Sequence, residues 1–363
     1  MTGLQKFSPR SFDWVLFGSA LLLSILGAAA IYSVDLSRGG PLVLFRRQLL
    51  SLGVGLLLFF LASLPHFSWY RSAAKSLYGV SILLLGAVLW YGTTIRGTRG
   101  WFVAAGFSFQ PVELAKAGLI LMLASVVYHF GRRFDRLLFL AGTGVLTVLP
   151  MALILAQPDL GSASIFILLW FGIMLLLRAP FRYLAICLGG AVAAAAVGWF
   201  LLQPYQQDRL RTFLNPERDP LGAGYNRTEA LIAVGAGQLW GRGLGYGSQS
   251  QLRFLPEAQT DFIFSVIGEE LGFVGVAVLF GLFAVIFIRL GKLLPRAPDD
   301  FVAVGISGII LLLAVQLFLN VGANLGLLPI TGVTLPFVSY GGSSLVINFW
   351  LLGIAESMVE KRY

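Results

Sequence analysis

The segment Leu252–Gly275, LRFLPEAQTDFIFSVIGEELGFVG, decides how the rest of the chain is read. A polar, glycine-rich stretch ends here and a long apolar helix begins. Pro256 keeps the approach extended, and two carboxylates, Glu257 and Asp261, stand at the boundary. Asp261 falls in the first turn of the coming helix, where partial positive charge on the backbone N–H groups favours an ionised side chain. A carboxylate kept ionised at the rim of a membrane is costly and marks a candidate site. Asp is also a common helix N-cap, and this stretch alone leaves both readings open.

The membrane enters through composition. Of 363 residues, 57% are hydrophobic and 12% charged, where a soluble domain carries ~25% charged. The chain is therefore expected to be a polytopic membrane protein. Its formal charge of +9 bears on sidedness before it bears on nucleic acid, and no nucleic-acid partner is expected. A single cysteine, Cys187, lies inside an apolar run, which excludes an intrachain disulfide and a thiolate metal site. His66 and His129 have no second ligand nearby in sequence, which argues against zinc and against a histidine triad. The first apolar run, Trp14–Ile31, ends in Ala28-Ala29-Ala30 like a signal peptide but is read as an uncleaved helix.

Runs long enough to cross ~30 Å of hydrocarbon fall near 13–33, 47–64, 76–92, 112–131, 137–156, 163–178, 182–203, 261–290, 301–328 and 340–358. The expected fold is all-α: one membrane domain over 1–363 with about ten transmembrane helices. With the N-terminus inside, the inner connections hold Lys6, Arg10, Arg71, Lys75, Arg132, Arg133, Arg136, Arg178, Arg182, Arg289, Lys292, Arg296, Lys361 and Arg362. The short outer loops hold only Arg38, Arg46, Arg47, Arg96 and Arg99. Both termini are then cytoplasmic. Residues 204–260, between helices seven and eight, form a large outer loop whose length points to function. It carries Arg209 and Arg211, an apolar run Ala230–Val234 that suggests a short interfacial helix, and glycines at 235, 237, 241, 243, 245 and 247. Glycine-rich backbone can turn its N–H groups to an anion; it can equally be a flexible loop.

The remaining polar clusters lie on the same outer side. Trp101 closes Arg96–Trp101, and Gln110 precedes Pro111, which suits the first helical position. Glu113 and Lys116 follow on one helical face, close enough to pair. A lone lysine at the centre of a span costs ~2.5–3.5 kcal/mol on the insertion scale, so either a structural pair or a wet cavity accounts for it. Asp159, in QPDLGS, can cap the next helix. Asn320 and Asn324 precede LPITGVTLPFVSYGGSS at 328–344, a Gly/Ser/Pro-rich connection containing Ser339 that suits a cavity wall or gate. Glu270 is nine residues beyond Asp261 and faces roughly the opposite way; it is expected to make an interhelical contact.

Together these clusters resemble the SEDS family of bacterial cell-wall proteins (shape, elongation, division and sporulation), over nearly the whole chain. The carriers are GTRGW (97–101), FQPVELAK (109–116), QPDLGSA (157–163), NPERDPLGAGYN (215–226), LPEAQTDFIFSVIGEELG (255–272) and LPITGVTLPFVSYGGSSL (328–345). The loop wording is closer to the elongation branch than to the division branch. Gln259 stands where the family often has His, and Gln238 where it often has Gly.

The resemblance implies a glycosyltransferase that polymerises lipid II on the outer face of the cytoplasmic membrane for elongation and shape. Its partner would be a class B penicillin-binding protein, with other elongation-complex membrane proteins as further candidates. The family's catalytic aspartate maps onto Asp261. Lipid II carries a diphosphate leaving group, so the site needs a base for the acceptor hydroxyl, worth ~10²–10⁴-fold, and cationic help for the departing undecaprenyl diphosphate. Candidates for that help are Lys116, Arg209, Arg211 and the glycine-rich backbone. A divalent cation, Mg or Mn, is a further candidate, with no metal ligand assigned. One base without a partner acid implies single displacement with inversion. Trp101, Gln110, Glu113, Asp159, Glu257 and Ser339 are expected around the substrate. A lipid II flippase and a non-catalytic scaffold are the competing readings.

Overall fold

The computed structural model describes residues 12–39, 41–95, 97–104, 107–131, 137–201, 204–215 and 222–358. The helices are α1 (Trp14–Leu36), α2 (Val43–Ser63), α3 (Phe67–Tyr91), α4 (Pro111–Phe130), α5 (Leu137–Leu155), α6 (Leu160–Leu176) and α7 (Phe181–Gly198). In the loop region come α8 (Pro204–Leu214), α9 (Ala223–Ala236) and α10 (Ser248–Gln251), then α11 (Ile263–Gly291), α12 (Asp300–Asn324) and α13 (Gly342–Ser357). Seven of these are long and apolar enough to cross a membrane; α6 and α7 are shorter apolar helices and α13 has 16 residues.

Helix starts follow the local chemistry. Asp13 accepts N–H bonds from Val15 and Leu16 to begin α1, Asp159 from Ser162 to begin α6, and Asp299 from Val302 to begin α12. Pro111 opens α4, as its fixed φ predicts. Of the seven spans α4 is the most deeply buried; it packs between α3 and α12, while α2 packs on α13 and α1 on α11. His66 starts α3 by accepting from Ser68, and His129 bonds back to the Ser125 carbonyl, so both histidines serve their own helices.

Three features depart from the expected outline. Residues Thr93–Ile95, Thr98–Ala104 and Phe107–Phe109 form a small antiparallel sheet, β1-β2-β3, ahead of α4. Its β-branched and aromatic run suits a pleated surface, and Gly97 takes the positive φ of the first turn. The 261–290 span is broken: Gly272 has φ 64° and ψ −163° inside α11. The glycine-rich segment docks against that break. Arg242 and Gly243 donate N–H bonds to the carbonyls of Glu269 and Glu270, and Phe273 and Val274 donate to those of Gln238 and Leu239. From α9 onward the large loop is thus packed, with Ala230 and Ala233 fully buried, and α9 is longer than the expected 230–234 helix.

Glu269 and Glu270 complete that joint, as interhelical contacts. Glu269 accepts from the Gln249 and Ser250 N–H groups at 2.8 and 3.1 Å. Glu270 accepts from Ser33 of α1 and Ser250. A Cβ at Gly241, itself at φ 79°, would run into the backbone of Glu270 and Leu271. Gly241→Ala is therefore expected to cost ~1–3 kcal/mol, as overpacking against rigid backbone does. A thermal melt of the purified protein should show a lowered midpoint; an unchanged one would mean the joint yields freely.

Candidate active site

Asp261 sits on a turn held from both sides. The Thr260 and Asp261 N–H groups donate to the Glu257 carbonyl at 3.0 and 3.2 Å. Behind the turn, the Ser339 hydroxyl donates to the Thr260 carbonyl at 2.7 Å and accepts from Leu335 N–H at 2.8 Å. The Tyr340 N–H donates to the Gln259 carbonyl at 2.8 Å. From α12, the side-chain amides of Asn320 and Asn324 donate to the Asp261 carbonyl at 3.1 and 2.8 Å. The Asn324 oxygen in turn accepts from the N–H and hydroxyl of Ser265, one turn into α11. The backbone of Asp261 is thus fixed by two helices and a loop, while its side chain is half-buried. The N-cap position of α11 belongs to Phe262, so Asp261 stands just ahead of the helix, still within reach of its positive end.

The side chain of Asp261 lines a cavity of about 100 Å³. Trp101 of β2, Gln110, Glu113 and Lys116 at the head of α4, and Asp159 at the head of α6 line the same cavity. Lys116 and Glu113 form an ion pair at 2.7 Å with both side chains almost fully buried. Asp159 caps α6 by accepting from the Ser162 N–H and hydroxyl at 2.9 and 2.7 Å, so its capping role and its place at the cavity hold together. An enclosed volume of this size takes the reacting groups of a sugar or diphosphate; ligand pockets that swallow a whole small molecule run to ~300–1,000 Å³.

Other sequence candidates fall elsewhere. Glu257 faces a separate cleft of about 370 Å³ with Arg38, Arg253 and Gln259, accepting from the Gln259 amide at 2.9 Å. Ser339 supports the turn from behind and does not line the cavity. Arg211, on α8, stands 3.7 Å from Asp208 and lies over the Trp199 ring, exposed and away from the cavity. The side chain of Arg209 lies outside the described residues. The glycine-rich N–H groups of Arg242 and Gly243 are spent on Glu269 and Glu270, which withdraws them as an anion cradle.

The 328–344 connection supplies Gly332, Val333, Thr334, Tyr340, Gly341 and Ser344 to the cavity wall, as its Gly/Ser/Pro-rich sequence suggests, whereas sequence reasoning missed Gln316 of α12, which also lines the cavity. Gln316 is fully buried and neither amide atom has a hydrogen-bond partner. An orphaned polar group of that kind costs ~1–3 kcal/mol. The signal is there: Gln316, Asn320 and Asn324 recur every four residues, one polar stripe on an apolar helix.

No group of three or more His, Cys, Asp or Glu side chains among the described residues is placed to hold a metal ion. Magnesium is commonly bound through one or two carboxylates plus substrate phosphates. The carboxylates on the cavity wall outside the Lys116 pair are Asp261 and Asp159.

The family model described as "FTSW_RODA_SPOVE: Cell cycle protein" matches residues 13–363. A peptidoglycan glycosyltransferase of Escherichia coli K12, MrdB, is 37% identical over 347 residues, covering 94% of this chain and 92% of that protein. A probable peptidoglycan glycosyltransferase of Acinetobacter baylyi, FtsW, is 40% identical over 290 residues, 77% of this chain and 70% of that one. A solved structure described as "Structural coordination of polymerization and crosslinking by a peptidoglycan synthase complex" superposes with a TM-score of 0.81 at 36% identity, covering 95% of this chain and 96% of that one.

Proposed function

The chain belongs to the FtsW/RodA/SpoVE family, and we propose that it is a peptidoglycan glycosyltransferase that builds glycan strands from lipid II with Asp261 as its base. One observation carries this reading. Residues up to about 160 positions apart, Trp101, Gln110, Glu113, Lys116, Asp159 and Asp261, line a single cavity. Asp261 takes the proton of the acceptor sugar's hydroxyl. The freed oxygen pair bonds to the anomeric carbon of the donor, and the bond from that carbon to the diphosphate oxygen breaks, releasing undecaprenyl diphosphate. A single displacement inverts the anomeric centre. Lys116, held forward by Glu113, offers charge to the departing diphosphate. Asp159 would be the residue to hold a divalent cation carried by that diphosphate, and the chemistry the ion would supply is further neutralisation of the leaving group's charge.

The arginine asymmetry supports an extracytoplasmic site, cytoplasmic termini and, counting α6, α7 and α13 as spans, ten crossings. The polymerase and crosslinking partnership named for the structural neighbour supports a class B penicillin-binding protein as partner. The wording of the large loop favours the RodA, elongation branch. A flippase would be expected to centre its polar groups near the midplane, whereas these lie at the heads of α4, α6 and α11.

Purified protein in detergent micelles should convert lipid II to glycan, because polymerisation needs no sealed bilayer and translocation does. Chelating divalent ions should slow but not abolish the reaction, since Lys116 remains. Absence of any glycan in micelles, with lipid II transfer recovered in sealed vesicles, would hand the site to a transporter.

A further inference from the structure

We infer that Gln316 is a substrate-binding residue that grips the sugar end of the acceptor beside Asp261. The inference deepens the glycosyltransferase reading and rests on it. Gln316 lies on α12, wholly buried, with both the amide nitrogen and the amide oxygen unpartnered. Its side chain lines the cavity that also holds Asp261 and Lys116. One and two turns further along the same face, Asn320 and Asn324 spend their amides on the Asp261 carbonyl. Of three amides on one helical stripe, two hold the Asp261 backbone and the third opens on the space in front of its side chain.

The chemistry of the vacant amide narrows the ligand. Its nitrogen donates and its oxygen accepts, so the partner must do both. A diphosphate oxygen only accepts and would leave the amide oxygen bare. Sugar hydroxyls and an acetamido group each donate and accept. The group that reaches Gln316 is therefore on a sugar, and the cavity that Gln316 shares with Asp261 assigns it to the acceptor, whose hydroxyl proton passes to that carboxylate. This placement would aim that hydroxyl, because the carboxylate and the amide share one helix-anchored wall.

The test separates binding from turnover by working in the Asp261→Asn background. Affinity for fluorescent lipid II in detergent is measured for Asp261→Asn and for Asp261→Asn with Gln316→Met, alongside thermal midpoints without ligand. Methionine matches glutamine in length and removes both polar atoms. Losing the hydrogen bonds should weaken binding ~10-fold or more, while the unliganded midpoint stays level or rises, because a buried orphan has been removed. A lower midpoint with unchanged affinity would make Gln316 a structural residue and overturn the inference. Unchanged midpoint and affinity would mean that a trapped water satisfies the amide, and would overturn it equally. If Gln316→Met fails to accumulate, Gln316→Asn in the active protein is measured instead, with a raised KM and a lowered kcat/KM expected and a normal KM overturning the inference. Failure of both Asp261 variants and wild type to bind lipid II would sink the glycosyltransferase reading itself, an outcome distinct from a silent Gln316.

Discussion

Replacing Asp261 by asparagine should lower the rate of lipid II polymerisation at least ~10²-fold, and by as much as ~10⁴-fold if proton removal is fully rate-limiting. The protein should still fold. Asn keeps the shape of the side chain, and the contacts that fix this turn run through the Asp261 main chain, whose carbonyl Asn320 and Asn324 hold. What disappears is the basic oxygen. The measurement is glycan formation by purified protein, with the thermal midpoint taken on the same samples. Near-wild-type rates at a matched midpoint would remove Asp261 from the mechanism, and a collapsed midpoint would show that the carboxylate is structural.

The second large effect is expected at the buried pair. Lys116→Met strands Glu113 as an unpaired charge, and breaking a buried ion pair from one side costs ~3–5 kcal/mol. Activity should fall with it, but instability alone would explain that. The double variant Glu113→Gln with Lys116→Met removes both charges and should recover most of the lost stability, since apolar or neutral replacement of a whole pair is often close to neutral. If Lys116 supplies charge to the diphosphate, the double variant stays slow although it folds. If the pair only neutralises two buried charges within α4, stability and activity return together. The pair lines the cavity with Asp261, which is why the first outcome is expected.

Much of this site is legible along the chain. Lys116 in an apolar run has to be paired or wetted, and it is paired, bonded to Glu113 at 2.7 Å on the wall of a cavity. Asp159 has the sequence of a cap and is one. Asn320 and Asn324 stand out as a polar cluster, but nothing local names their object, the Asp261 carbonyl 59 and 63 residues earlier. Glu257 and Arg211 are suggested by charge and by nearness in sequence, and neither criterion decides where a side chain points. The glycines of the large loop look like an anion cradle because permissive backbone serves two ends: turning N–H groups outward, or letting two backbones approach. Here the second use prevails, against the broken helix at Gly272.

The sequence by itself determined that apolar helices fill the chain, that two of them start at Pro111 and just after Asp159, and the family motifs. Those depend on runs of apolar residues and on caps within a turn or two, information that lies along the chain. Only the tertiary structure decided that α11 breaks, that the large loop is packed from α9 onward, and that Gln316 shares a cavity with Asp261 while Glu257, Ser339 and Arg211 do not. Those are questions of which helices touch, and across a membrane core that is settled by side-chain packing between segments far apart in the chain, which no local pattern encodes.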